Sequence, residues 1–129
     1  MPHNADDDRA VEQFLNDKID TVPHLEALLL LWASRPKAWS ISEMAKGLYV
    51  VPEAAAEILD DLARQGLIAQ DTGAAEYYYE SHSDRDPIVA AVEATYRREL
   101  IRISRLIHSK PSAAVREFAR AFRIGKDKK

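Results

Sequence analysis

The sequence predicts a mainly α-helical protein with one small β-hairpin, and three observations point that way. Apolar residues recur at helical steps through most of the chain. Prolines 23, 52 and 87 and one Ser-x-x-Glu box stand where helical patterns begin. Two short β-prone runs flank the turn residues Asp71-Thr72-Gly73. With 129 residues, 47% of them hydrophobic, the chain has the size and apolar share of one ordinary folded domain.

The first nine residues are polar, with Asp6, Asp7 and Asp8 in a row, and are expected to form a disordered acidic tail. Val11, Phe14, Leu15 and Ile19 then predict a short amphipathic helix from Ala10 to about Asp20. Pro23 opens the next helix, whose run Leu25, Leu28, Leu29, Leu30, Leu31, Trp32 is apolar nearly all round and belongs at the centre of a core. Arg35-Pro36 stops it, and Trp39 and Ile41 share one side of a short extended segment. In Ser40-Ile41-Ser42-Glu43 the serine hydroxyl accepts from the Glu43 N–H while the glutamate reaches back to the serine N–H, which starts a helix through Met44, Ala45 and Leu48.

Pro52 starts another helix with the stripe Ala55, Ile58, Leu59, Leu62, and Gly66 stands where a left-handed residue ends it. Leu67 to Gln70 and Ala75 to Glu80 read as a hairpin in which Tyr78 faces away from Tyr77 and Tyr79. These tyrosines pack the hairpin onto helices or stack on a partner, and packing is the commoner use of a tyrosine-rich strand. Asp86-Pro87 begins a pattern without a breaker to about Ser109, a helix of roughly 34 Å. Beyond Lys110-Pro111, Val115, Phe118, Ala119 and Phe122 give a short amphipathic terminal helix, followed by a basic end.

Helix, short strand, helix, tight turn, helix and hairpin follow one another in residues 23–81. This order, with Trp39-Ser40-Ile41-Ser42-Glu43-Met44-Ala45 at a helix start and Leu62-x-x-x-Gly66-Leu67-Ile68 at a helix exit, resembles the winged helix-turn-helix domain of MarR-like bacterial transcriptional regulators. The resemblance implies residues 10–83 as a winged helix-turn-helix domain with an added N-terminal helix. Residues 84–129 become a basic helical extension for dimerisation or partner binding, with Val92, Tyr96, Leu100, Ile103, Ile107, Phe118 and Phe122 as interface candidates. It also implies that the helix from Pro52 to Gln65 enters a DNA major groove through Glu53, Ala54, Ala56 and Glu57.

Those residue types are poor groove readers. Base edges are matched by Arg, Lys, Asn or Gln, and affinity comes largely from cations that displace counterions. This helix presents four carboxylates and a single arginine, Arg64, near its far end, and the wing tip Asp71-Thr72-Gly73-Ala74 holds no cation. A net charge of −3 conceals the reason. Residues 1–83 hold 15 acidic and 6 basic side chains, whereas residues 84–129 hold 6 acidic and 12 basic. The basic excess sits on Arg97, Arg98, Arg102, Arg105 and Lys110, then Arg116, Arg120 and Arg123. Arg98, Arg102 and Arg105 share a helical face that can follow phosphates, meet an acidic protein, or simply pair with local glutamates.

Zero cysteine excludes disulfides, thiolate metal sites and cysteine nucleophiles. The four histidines, at 3, 24, 82 and 108, share no short metal-ligand spacing, and His82 to Asp86 reads as capping sequence rather than a metal loop. There is neither a glycine-rich phosphate loop nor a serine elbow, so no enzyme, cofactor or metal is expected. The acidic start is unlike a signal peptide and no apolar run reaches membrane-span length, so a cytoplasmic protein without membrane contact is expected. The functional expectation is a dimeric, DNA-associated regulator using Arg64, Arg98, Arg102, Arg105 and Lys110 as cations. The alternative is a protein-interaction module on the same scaffold, including an acidic partner for the basic C-terminal region.

Overall fold

A computed structural model describes residues 5–73 and 75–109. Along the chain run α1 (Ala5–Lys18), α2 (Val22–Ala33), α3 (Ile41–Leu48), α4 (Pro52–Arg64), β1 (Ala69–Asp71), β2 (Glu76–Tyr78), α5 (Asp86–Arg98) and α6 (Leu100–His108). Helix α2 occupies the centre, as its apolar run requires: Leu25, Ala27, Leu28 and Leu31 are fully buried among α3, α4, α5 and α6. Val11, Leu15 and Ile19 carry α1 into the same core, against α5.

Local chemistry sets the boundaries. Thr21 caps α2 by accepting from the His24 N–H, and Pro23 lies in its first turn. The Ser40–Glu43 box is complete: Glu43 N–H donates to Ser40 Oγ at 3.1 Å and Ser40 N–H donates to Glu43 Oε1 at 2.9 Å. Bonding to the Ser40 backbone N–H holds the Glu43 carboxyl below its ordinary pKa. Helix α3 ends on Tyr49 in the left-handed region at φ 59°, and Pro52 begins α4 after a short turn. Gly66, at φ 76°, lets the chain leave α4 toward the hairpin, a conformation strained for a side chain with a Cβ.

In the hairpin Ala69 pairs with Tyr78, Gln70 with Tyr77 and Asp71 with Glu76. Trp39 pairs with the other edge of β2 through an isolated antiparallel bridge to Tyr77, with N–H···O distances of 2.7 and 2.8 Å. Tyr77 and Tyr79 are buried and Tyr78 only half-buried, so the alternation expected of the tyrosine run holds. The Tyr79 ring meets Trp32 edge-on at 5.1 Å, fixing the wing to α2.

Three expectations are corrected. Residues 5–9, expected in a disordered tail, form the start of α1. The helix expected from Asp86 to Ser109 is two helices, broken at Glu99 with φ −131° and ψ 51°. No proline or glycine marks the break. Packing imposes it, because the turn at Glu99 lets α6 lean on α2 and α5 and bury Ile103 and Ile107. Third, Val92, Tyr96, Ile103 and Ile107, expected at an interface, are buried in the core of their own chain. Among the described candidates only Leu100 stays open, joined by Ile101, at 52% and 67% exposure. Phe118, Phe122 and Lys110 lie outside the described residues.

Candidate nucleic-acid interface

The α3–turn–α4 unit presents one flank of α4 to the outside. Ala55, Ile58, Leu59 and Leu62 turn inward at i, i+3, i+4 and i+7, which rotates Glu53, Glu57 and Asp60 outward. Ala54 and Ala56 are half-buried beside them. No side chain caps the start of α4, where the exposed Val51 precedes Pro52. The outer flank is thus carboxylate and methyl, a surface that repels phosphate and offers little to a base edge.

Arg64 does not alter this. Its guanidinium bonds Asp61 at 2.7 Å and Asp60 at 3.0 Å, one turn back on the same helix. The basic strip is likewise spoken for in part. Arg102 bonds Glu99 at 2.6 Å and Glu12 of α1 at 2.9 Å, with Asp8 at 3.8 Å. Arg98 meets Glu99 at 3.3 Å and Arg97 meets Glu93 at 3.3 Å. The short Arg102 bond holds Glu99 below the ordinary carboxylate pKa, and Glu99 in turn raises that of Arg102. Arg105 alone of the three expected strip residues stands exposed without an ion pair among the described residues. The strip therefore does not stand free as a set: Arg98 and Arg102 serve the α5–α6 break and the tie to α1.

Two further features were not read from the sequence. Arg85 donates to Gly66 O at 2.8 Å, to Tyr79 Oη at 3.2 Å and to Glu80 O, linking the exit of α4, the wing and the start of α5. Asp86, beside it, accepts from Tyr79 Oη at 2.6 Å and from the His82 N–H at 3.0 Å, and these bonds hold its pKa below the ordinary value. Its place after the His82 loop was legible as capping; its tyrosine partner, seven residues away, was not. The second feature is a groove of about 390 Å³ between α2, the α3–α4 turn and α5, where Leu29, Leu30, Tyr49 and Leu100 supply apolar walls and Glu26 and Glu93 acid. Tyr96 points its hydroxyl at Glu26, 3.4 Å away, and burial raises its pKa.

A capped helix, a short turn, a second helix and a two-stranded wing packed back onto the first helices define a winged helix-turn-helix protein. Solved structures of MarR-family proteins share the architecture over nearly the whole chain. A MarR-family transcriptional regulator from Streptomyces coelicolor superposes with a TM-score of 0.54 at 19% identity, covering 95% of this chain and 83% of that one. A MarR-family protein of Mycobacterium tuberculosis gives 0.53 at 22%, covering 92% and 84%. Staphylococcus aureus MepR in complex with DNA gives 0.50 at 16%, covering 95% and 91%. At these identities the likeness is one of fold. No family model matches the chain, and no curated protein matches it. No helix among the described residues is long and apolar enough to cross a membrane.

Proposed function

We propose that the protein is a winged-helix transcriptional regulator that associates with double-stranded DNA as a dimer. The supporting observation is the complete helix-turn-helix and wing, arranged as in regulators of which one is seen on DNA. Because α4 is acidic, affinity has to come from elsewhere: Arg105, Lys110 and the basic residues after it supply the cations. Dimer contact falls to the exposed pair Leu100 and Ile101 rather than to the buried stripe of α5 and α6.

Fluorescence anisotropy of a labelled mixed-sequence duplex, titrated from low to physiological salt, tests the reading. Retention at low salt that falls steeply as salt rises, and that Arg105→Glu weakens, supports it. No retention at low salt overturns it. Sedimentation velocity tests the dimer: a wild-type dimer converted to monomer by Leu100→Glu supports it, and a wild-type monomer at high micromolar concentration refutes it.

A second reading rests on the exposed carboxylates Glu53, Glu57 and Asp60 and on the internal engagement of Arg98 and Arg102. In it the scaffold serves protein interaction: α4 meets a basic partner, or the basic C-terminal region an acidic one. It predicts a free protein that ignores nucleic acid and loses partner capture when truncated after Ser109. The same partners recovered by the truncated chain would contradict the C-terminal version.

A further inference from the structure

We propose that Asp20, His24 and Asp61 form a binding site for one zinc ion at the junction of α1, α2 and α4. Their ligand atoms all lie within 4.8 Å of one another, although 41 residues separate the outer two. His24 is buried in the first turn of α2, and both aspartates are half-buried, Asp20 in the α1–α2 connection and Asp61 in the last turns of α4.

The imidazole is already oriented as a ligand. Its Nδ1 lies 2.6 Å from Thr21 Oγ1 and its Nε2 lies 2.8 Å from Asp61 Oδ2. Metal-bound histidines ordinarily commit their second ring nitrogen to a fixed hydrogen-bond partner, which sets the tautomer and aims the first. Thr21 fills that role, leaving Nε2 for the ion. Zinc between Nε2 and Oδ2 needs those atoms about 3.3 Å apart, given bonds of about 2.0 Å in a tetrahedral site. A shift of roughly half an ångström from the present hydrogen bond accomplishes this.

Charge and ligand type agree with that ion. One imidazole and two carboxylates, with a fourth position for water, form the nitrogen and oxygen set of an open zinc site. The two carboxylates match the charge of the ion. Arg64, which now bonds both Asp60 and Asp61, keeps Asp60 at 3.0 Å when Asp61 turns to the metal. Zinc takes the Nε2 lone pair of the neutral tautomer protonated on Nδ1, so the ring proton moves from Nε2 to Nδ1 with no net loss and Nδ1–H donates to Thr21 Oγ1. The bound ion replaces one hydrogen bond between α2 and α4 by a three-point tie that includes the α1–α2 connection.

The test is calorimetric titration of the full chain with zinc chloride, with cobalt(II) absorption as a second readout of coordination. The expected result is one equivalent bound and about tenfold or greater weakening in both Asp20→Asn and Asp61→Asn, with Glu57→Gln unchanged. The Asn variants keep a side-chain acceptor, and circular dichroism verifies that they fold. No saturable uptake, or uptake unaltered in both Asn variants, overturns the proposal. Because the free chain is titrated, the result stands whether or not the protein engages DNA.

Discussion

Helices α4 and α6 make opposite use of the same design. Each buries an apolar stripe, Ala55, Ile58, Leu59 and Leu62 on α4 and Ile103 and Ile107 on α6, and each shows charge on its other side. On α4 the charge faces outward: Glu53 and Glu57 are exposed, and the arginine at its end is turned back on Asp60 and Asp61. On α6 the leading charge is engaged by the chain itself at the surface, where Arg102 spans Glu99 and Glu12 and so ties the basic C-terminal half to the acidic N-terminal helix. Part of the opposition between the halves is therefore satisfied within one chain. Charge on a helix defines a contact surface only after its internal partners have been subtracted.

The widest test of the contrast is in the core. Leu59→Ala and Ile103→Ala each remove a fully buried side chain and are expected to lower unfolding free energy by about 2–5 kcal/mol in urea denaturation. A cost below about 1 kcal/mol at Ile103 alone would return α6 to an intermolecular role, since only an exposed residue truncates so cheaply. Next in size is Ser40→Ala, which removes one half of the capping box and is expected to cost about 1 kcal/mol, weakening the helix that seats α4.

Arg102→Ala sharpens the comparison itself. The side chain is 40% exposed, so solvent screens its pairs, and a loss of about 0.5–1 kcal/mol is expected, shrinking in high salt. The same loss in 1 M salt would mean that packing of the arginine stem matters more than its charge. Smallest is Glu57→Lys, expected to leave stability within about 0.5 kcal/mol while raising duplex retention. A pH series adds a signed expectation. Asp86 has a lowered folded pKa, so its contribution is present above the unfolded carboxylate range and is lost as pH falls through the folded value. Asp86→Asn should therefore flatten the fall of the urea midpoint below about pH 4.

Much of the fold was legible because local chemistry carried it. The capping box, Pro23 and Pro52 at helix starts, Gly66 at a helix end and the alternating tyrosines each act over a few residues, within reach of a sequence pattern. What escaped depends on contacts across the chain. The break at Glu99 has no breaker residue and follows from burying Ile103 and Ile107 against distant helices. An unbroken stripe from Val92 to Ile107 read as a dimer face because periodicity reports that a face is covered without saying by what. The acidic flank of α4 was visible in the sequence. Pairing of Arg98 and Arg102 with a local glutamate was one of the readings the sequence offered, and Glu99 supplies it; the particular tie from Arg102 to Glu12, 90 residues away, was not legible. Likewise His24 and Asp61 meet across 37 residues, a separation at which no ligand-spacing rule operates.

The Arg85 contacts carry a mechanical consequence. One guanidinium grips the carbonyl that closes α4, the tyrosine of the wing and the strand exit at Glu80, while its own backbone starts α5. The wing is therefore coupled to the root of α5 by a side chain as well as by the connecting loop. The end of α4, the wing and the root of α5 thus share one guanidinium, and displacing any of the three costs hydrogen bonds to the other two.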